Sequence, residues 1–224
     1  MRNKSLLLLF FSFIGINFIF GQATEWKIVP GKITTSWSAQ VNPQLPLPEY
    51  PRPQLVRKNW QNLNGLWQYA ISQGKLGNAP ATYDGKILVP YPIESALSGV
   101  GKMVGKDNSL WYKKEITLDK SFKRKKILLH FGAVDWLTEV YVNGQKVGTH
   151  EGGYDPFSFD ITNYLRKGNK QELIIGVWDP TDEGTQPRGK QVRKPEGIWY
   201  TPVTGIWQTV WLEAVPNTYI VSTK

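Results

Sequence analysis

The 224-residue sequence contains no cysteine and only two histidines, His130 and His150. Without cysteine, neither a disulfide nor a cysteine-ligated metal site can form. The chain also lacks a Gly-x-Ser-x-Gly elbow, a Walker loop, a Rossmann fingerprint and a His-Glu-x-x-His motif. A Ser-His-Asp arrangement without that elbow stays open, and carboxylates are too common for their number to mark a glycosidase pair. The sequence therefore predicts no cofactor and no metal, and it contains no complete catalytic motif.

A long hydrophobic run occurs once, at the N-terminus. Residues 6–14 are apolar apart from one serine, and they follow the basic residues Arg2 and Lys4. Gly15 and Asn17 interrupt the run, which makes it short for a membrane span. This pattern predicts a signal peptide over residues 1–22 and an exported bacterial protein, periplasmic or extracellular. A single N-terminal membrane anchor is the alternative.

Acidic residues are outnumbered, and the formal net charge is +9. The most basic run covers residues 123–126. Such a run can bind nucleic acid, but it stands directly before an apolar strand, where a solvated turn is expected. Export also argues against a nucleic-acid partner. We therefore predict no nucleic-acid partner, and no membrane partner once the signal peptide is removed.

Proline is concentrated in one stretch, residues 42–53, which contains five prolines. Prolines at this density exclude helix and interior strand. The sequence predicts that residues 23–56 form an extended lead-in arm lying over the body of the protein. A flexible linker is the alternative.

Amphipathic helical patterns are missing, and short alternating segments separated by turn residues take their place. The dipeptide Asn143-Gly144 between two such segments is a strong hairpin signal. This pattern predicts an all-β fold, a jelly-roll or galactose-binding-like β-sandwich, in which Trp67, Trp111 and Trp211 pack between the sheets. One short helical turn is expected near residues 161–165. The predicted strands are 66–71, 86–89, 110–118, 127–131, 136–142, 146–149, 157–161, 172–178 and 208–213.

Seven sequence segments occur in an order that resembles the N-terminal sugar-binding domain of family-two glycoside hydrolases, the β-galactosidase and β-glucuronidase group. Each segment alone is a weak signal, but the ordered series is specific and covers about two thirds of the chain. The segments are 59–67, 89–95, 110–114, 128–136, 140–148, 152–161 and 205–213.

The resemblance implies a domain order. It places the jelly roll at residues 57–215 and the start of a linker or next domain at 216–224. An immunoglobulin-like domain and a catalytic barrel would follow, and the barrel carries the family's acid/base and nucleophile glutamates. The resemblance thus implies an accessory domain, inactive alone, whose partners are a β-glycoside and those two domains. A stand-alone secreted carbohydrate-binding module is the alternative, and a purely structural domain is a third interpretation.

Asp182 and Asp179 are the first candidates for sugar contact. They lie in a segment, residues 178–184, that resembles the β-galactosidase region in which an aspartate contacts substrate. Carboxylates accept paired hydrogen bonds from neighbouring sugar hydroxyls. The alternative for both residues is turn capping around Pro180.

The segment 186–200 reads as a long loop that mixes cations with aromatic residues. Arg188 could pair with a carboxylate, and Trp199 could stack on a pyranose ring. Arg193 is interpreted instead as part of an interface with further domains. Asp135 is a further candidate contact, and a capped turn before a core tryptophan is the favoured alternative for it.

Overall fold

The computed structural model describes residues 26–223, and over that range the chain is an all-β sandwich of two main sheets, as predicted. No helix in this range is long and apolar enough to cross a membrane. Short 3₁₀ turns cover Ser38–Gln40, Pro53–Leu55, Lys120–Phe122 and Thr162–Tyr164. The strands are β1 Trp60–Asn62, β2 Gly65–Gln73, β3 Gly85–Val89, β4 Asn108–Thr117, β5 Lys126–Phe131, β6 Val134–Asp135, β7 Leu137–Val142, β8 Gln145–Glu151, β9 Phe157–Asp160, β10 Lys170–Trp178, β11 Gly205–Ile206 and β12 Val210–Val215.

Antiparallel pairing arranges these strands in a six-stranded sheet, order β3-β2-β4-β10-β7-β8, and a four-stranded sheet, order β1-β12-β5-β9. The small pair β11-β6 lies apart from both. The predicted hairpin joins β7 to β8, and Asn143 and Gly144 have the positive φ angles, 51° and 81°, that its tight turn requires. The signal-peptide prediction falls on residues outside the described range.

Residues at every second position of each strand fill the space between the sheets. On β4, Leu110, Tyr112 and Ile116 belong to this core, and Trp67 joins them from β2. Lys114 shares that face of β4, and its amine donates to the carbonyls of Asn64 and Leu66 at 3.3 and 3.2 Å. Burial lowers the pKa of Lys114 to about 8. The alternation therefore places one amine at the margin of an apolar core.

The prediction that all three tryptophans lie between the sheets is wrong for Trp111 and Trp211. Strand alternation turns both side chains to the outer faces, since their neighbours Leu110 and Leu212 are in the core. Both indoles are nevertheless buried, 1% and 4% exposed. Trp211 stacks on His130 with ring centroids 4.8 Å apart. Other segments of the chain therefore cover parts of the outer faces of the sandwich.

The Pro-rich arm is one of these coverings. The indole nitrogen of Trp26 donates to the carbonyl of Leu97 at 3.0 Å, and the side-chain nitrogen of Asn64 donates to the carbonyl of Pro46 at 3.1 Å. The backbone of Gln44 lies so close to Gly65 that an added β-carbon would stand 3.3 Å from its carbonyl oxygen. Residues 26–56 are therefore held against the sandwich by many contacts, which describes an arm better than a flexible linker.

Glu213 on β12 joins the arm to the outer face of the four-stranded sheet. Its side chain is fully buried. The carboxylate forms ion pairs with Arg52 at 2.8 Å and Arg57 at 2.7 Å. Burial raises the pKa of Glu213, but hydrogen bonds outweigh that effect and lower it to about 2. His130, whose Nε2 lies 3.3 Å from the carboxylate, and the hydrogen bonds donated by Tyr50 and Trp211 produce this lowering. A charged carboxylate is therefore retained beneath the arm.

Candidate functional site

The segment 179–204 joins β10 to β11 and contains no regular strand, in agreement with the predicted long loop. It folds back on itself through two backbone hydrogen bonds. The Val192 nitrogen donates to the Tyr200 carbonyl at 3.0 Å, and the Tyr200 nitrogen donates to the Lys190 carbonyl at 2.9 Å. We call this segment the long loop. Its two ends are fixed by the strands, and residues 193–200 form an exposed tip.

Asp179 connects the two ends of the long loop. One carboxylate oxygen accepts a hydrogen bond from the Thr181 nitrogen at 2.7 Å, and the other accepts from the Thr204 hydroxyl at 3.0 Å. The side chain is buried, 2% exposed. Asp179 therefore caps a turn at the start of the loop and simultaneously binds the residue at its end.

Asp135 holds the middle of the long loop. Its carboxylate accepts a hydrogen bond from the Gln191 side-chain nitrogen at 3.0 Å, while the Gln191 oxygen accepts from the Val203 nitrogen at 2.6 Å. Gly153 packs so closely on Asp135 that a β-carbon there would stand 2.5 Å from its carboxylate oxygen. Asp135 is buried, 3% exposed, and so contacts the loop from beneath.

Glu94 completes a buried group of three carboxylates under the loop. One of its oxygens accepts from the Thr204 nitrogen at 3.0 Å, and its other oxygen is buried without a hydrogen-bond partner. Burial raises the pKa of Glu94 to about 7. Burial and the charge of Asp179 raise the pKa of Asp135 to about 7, and burial also raises the pKa of Asp179. Each of these groups therefore holds its proton to a higher pH than an exposed carboxyl group does.

The outer surface of the loop carries a second set of charges. The Asp182 carboxylate pairs with the Arg193 guanidinium at 2.6 Å, and Arg193 also reaches Glu183 at 2.6 Å. Arg188 donates to the carbonyl of Asp182 at 3.2 Å. Slight burial opposes ionisation of Asp182, but hydrogen bonds from Arg193 outweigh it and lower its pKa. Asp182 is therefore a charged carboxylate that accepts hydrogen bonds from the Arg193 side chain and from the Arg193 backbone nitrogen at 3.5 Å.

A concave surface of about 630 Å³ lies beside this ion pair. Trp199 contributes an indole that is 41% exposed, and Met103, from the connection between β3 and β4, lines the same concavity. Ile198 and Tyr200 add further exposed apolar surface next to it. The concavity is lined by Met103, Asp182, Val192, Arg193, Lys194, Glu196 and Trp199.

The structure separates the five predicted site residues into two levels. Asp182 and Trp199 line the concavity, and Arg188 braces the backbone of Asp182. Asp179 and Asp135 lie in the buried base, where they position the loop. A carboxylate, a guanidinium and an indole at one concave surface provide hydrogen bonds and an apolar face, the combination that recognises a sugar ring.

Sequence reasoning did not identify Gln191, Glu94 or Thr204, which anchor the loop. No local pattern marks them, because their partners are distant in sequence. Gln191 is 56 positions from Asp135, and Thr204 is 110 positions from Glu94 and 25 from Asp179. Within residues 26–223, no group of three or more His, Asp or Glu side chains has the geometry of a metal site.

The two-sheet sandwich, with an anchored loop and a concave polar and aromatic surface, defines a β-sandwich binding domain. Comparison with known families identifies which binding domain it is. Residues 79–216 match the sugar binding domain of glycosyl hydrolases family 2. The chain therefore belongs to this family, and the resemblance seen in the ordered sequence segments is confirmed.

Relatives with assigned names include both enzyme types of the group. The chain is 40% identical over 112 residues to a β-galactosidase of Thermoanaerobacter pseudethanolicus, which covers 49% of this chain and 14% of the relative. It is 27% identical over 205 residues to the β-glucuronidase of the dog, Canis lupus familiaris, which covers 76% of this chain and 31% of that enzyme. The chain thus spans less than a third of the length of these relatives.

Solved structures agree on the fold. A Bacteroides uniformis β-glucuronidase superimposes with a TM-score of 0.50 and 26% identity, covering 70% of this chain and 18% of that one. A Lactobacillus rhamnosus β-glucuronidase superimposes with a TM-score of 0.54 and 23% identity, covering 75% of this chain and 30% of that one. In both cases the matched portion is a minor part of a larger enzyme.

Proposed function

We propose that this chain acts as a non-catalytic accessory domain of a family-two β-glycosidase, similar to β-galactosidase, and helps to shape the sugar site of a catalytic barrel. The observation that carries this proposal is the construction of the long loop. Its base is fixed by hydrogen bonds that the buried carboxylates of Asp179, Asp135 and Glu94 accept. Its outer surface is open and carries Asp182 beside the exposed Trp199.

The loop surface is better suited to completing a site than to forming one alone. The concavity is shallow and open, whereas a site that binds a small ligand alone normally encloses most of its surface. Ile198, Tyr200 and Met103 expose apolar area around it, which is typical of a surface that meets another protein surface. A barrel placed over the loop would close the site and cover this apolar area.

The test uses a chain that carries both this domain and a catalytic barrel. Asp182→Ala should weaken binding of a substrate-analogue inhibitor about tenfold to a hundredfold, the effect of losing a charged hydrogen bond of about 1.5–3 kcal/mol. Glu183→Ala is the matched control, because Glu183 also pairs with Arg193 but does not line the concavity. Equal inhibitor affinities in the two variants would contradict the proposal.

A stand-alone carbohydrate-binding module is the second candidate, and the aromatic surface around Trp199 favours it. Calorimetric titration of the 224-residue protein with galactose, glucuronate and their β-glycosides separates the two. The accessory role predicts no measurable binding and no hydrolysis of nitrophenyl glycosides. The module predicts binding that Trp199→Ala abolishes.

We also propose that the protein is exported to the periplasm or the cell exterior. Support comes from the basic residues Arg2 and Lys4 before an interrupted apolar run, and from the absence of cysteine. N-terminal sequencing of protein recovered from the periplasm or medium should begin near Gln22 or Ala23. Recovery of a chain with intact Met1 in the membrane fraction would contradict export as a soluble protein.

A further inference from the structure

A second cavity lies at the opposite end of the sandwich from the long loop. It has a volume of about 650 Å³, and its walls come from the connection between β4 and β5 and from the segment between β9 and β10. Strand β10 begins at Lys170 beside this cavity and ends at Trp178 beside the long loop. A strand of that length spans roughly 27 Å, so the two surfaces are separate. We call this second cavity the basic cavity.

The floor of the basic cavity is apolar. Leu118 and Leu165 line it, and the core residues Phe122 and Ile127 form its base. Its walls are held by the backbone, because the Leu118 nitrogen donates to the Asn169 carbonyl at 2.8 Å. The Ile127 nitrogen is likewise held by the Thr162 hydroxyl at 2.9 Å. The floor is therefore a built part of the fold, and a volume of this size is ordinary for a small-molecule site.

The rim of the basic cavity is strongly cationic. Five basic side chains line it, and none of them forms a salt bridge among the described residues: Lys120, Lys123, Arg124, Lys125 and Arg166. The one acidic residue on the rim, Asp119, accepts a hydrogen bond from the Ser121 nitrogen at 2.7 Å. Lys126, Lys167 and Lys170 adjoin this rim in sequence. Like charges crowded around a concave surface repel one another and raise the local concentration of anions.

We infer that the basic cavity binds an amphiphilic anion, a molecule with an apolar body joined to a sulfate, sulfonate, phosphate or carboxylate group. The apolar body would occupy the floor formed by Leu118 and Leu165, and the anionic group would meet the lysines at the 120–125 turn. The described C-terminal residues do not occupy the cavity, because Ile220 accepts a hydrogen bond from Arg57, away from the cavity's lining residues. A polyanion without an apolar part would use the rim and leave the floor empty.

Both halves of the cavity are needed for this chemistry. Burial of an apolar body favours binding in proportion to the apolar area removed from water. Charge-assisted hydrogen bonds from lysine and arginine add to it and make binding salt-dependent. The inference is independent of the proposed sugar role, since the basic cavity shares no lining residue with the concavity beside Asp182.

The test is fluorescence titration of the purified protein with anilinonaphthalene sulfonate, an apolar ring system that carries one sulfonate. We expect saturable one-site binding that weakens at least tenfold when sodium chloride is raised from low to molar concentration. Phenylnaphthylamine, which has the same apolar body without the anion, should bind at least tenfold more weakly. Methanesulfonate, which has the anion without the body, should fail to compete.

Two charge-reversal variants locate the site. Lys120→Glu combined with Lys123→Glu should weaken binding of the dye at least tenfold. Lys27→Glu combined with Lys58→Glu, exposed lysines that do not line the cavity, should leave binding unchanged. All four substitutions are at exposed positions, and thermal unfolding of each variant verifies that it is folded.

Further measurements distinguish a lipid ligand from a soluble one, and two outcomes would overturn the inference. Displacement of the dye by phosphatidylglycerol vesicles, with no displacement by phosphatidylcholine, assigns the anion to a lipid. No displacement by either vesicle, with dye binding that depends on Lys120 and Lys123, assigns it to a soluble amphiphile. Equal loss of binding in both double variants would overturn the inference. Dextran sulfate is a polyanion without an apolar body. If it binds in a way that depends on Lys120 and Lys123 while the dye does not bind, the inference is also overturned.

Discussion

At the scale of single residues, Asp179 has the largest structural role in the long loop. Its two oxygens bind Thr181 and Thr204, which are separated by 22 intervening residues of chain, and so one carboxylate closes the loop. Closing a flexible loop of this length costs conformational entropy, and the hydrogen bonds that Asp179 accepts help to offset that cost. Asp179, the second of the two aspartates that the sequence offers for sugar contact, thus uses both oxygens for hydrogen bonds within the chain.

Replacing Asp179 should therefore loosen the loop. Asp179→Ala leaves the Thr181 nitrogen and the Thr204 hydroxyl without their partner, which costs about 1–3 kcal/mol of folding free energy. Limited trypsin digestion should cut the variant faster at Arg188, Lys190 and Arg193, and urea unfolding gives the free energy.

Asp182→Ala is the comparison variant for that digestion. Its ion pair with Arg193 is solvent-accessible and should contribute less than about 1 kcal/mol to stability. Identical digestion patterns for the Asp179 and Asp182 variants would refute the assignment of separate roles to the two aspartates.

The sequence placed both aspartates in the long loop but could not assign their roles. Burial distinguishes Asp179 from Asp182. Thr204 helps to bury Asp179, as Gln191 helps to bury Asp135, and both approach these carboxylates only after the loop has folded back. Turn capping and ligand binding use the same residue type, since both need an oxygen that accepts two hydrogen bonds. Residue type alone therefore left the two interpretations equal.

At the scale of elements, the strands with clear alternation were predictable and the shortest ones were not. The predicted strand 110–118 corresponds to β4 at Asn108–Thr117, and 127–131 to β5 at Lys126–Phe131. Strands β6 and β11 have two residues each, too few for a periodic pattern. The arm was predicted from its prolines, but its anchor required knowledge that Arg52 meets Glu213 across 161 positions of sequence.

The arm's ion pairs should contribute measurably to stability. Arg52→Ala combined with Arg57→Ala removes two cations from a buried carboxylate. Because Tyr50, Trp211 and His130 remain, the loss should stay below that of a fully unpaired buried charge, about 3–5 kcal/mol. We expect a lower urea midpoint and faster proteolysis within residues 42–56. Adding Glu213→Gln to the double variant should restore part of the loss, because the buried charge is then gone. If Lys27→Ala with Lys58→Ala, two exposed lysines, lowers stability equally, the ion pairs have no special role.

At the scale of the whole molecule, two groups of buried carboxylates respond to pH in opposite directions. The carboxylates under the long loop have raised pKa values, whereas the pKa of Glu213 under the arm is lowered. A raised carboxyl pKa means that the folded state binds the proton more tightly than the unfolded state does. Stability is then largest at acidic pH and falls as pH rises towards the folded pKa. A lowered pKa has the reverse effect.

We therefore expect the free energy of unfolding to be greatest in mildly acidic solution. Between the ordinary carboxyl pKa and about 7, ionisation of Glu94 and Asp135 should lower stability as pH rises. Below the ordinary carboxyl pKa, protonation of Glu213 should lower it as pH falls towards about 2. Urea unfolding across this pH range measures both slopes. Glu94→Gln with Asp135→Asn should flatten the upper slope only, and an unchanged upper slope would contradict the assignment.

The division of the long loop into a buried base and an open tip also bears on how its specificity could change in evolution. The anchoring hydrogen bonds use Asp179, Asp135 and Gln191, none of which needs to touch a ligand. Asp182 and Trp199 lie at the exposed concavity and take no part in those anchoring hydrogen bonds. Mutation at the tip could therefore alter what this surface contacts while the scaffold keeps its shape, so related domains can diverge at the tip without first losing a stable fold.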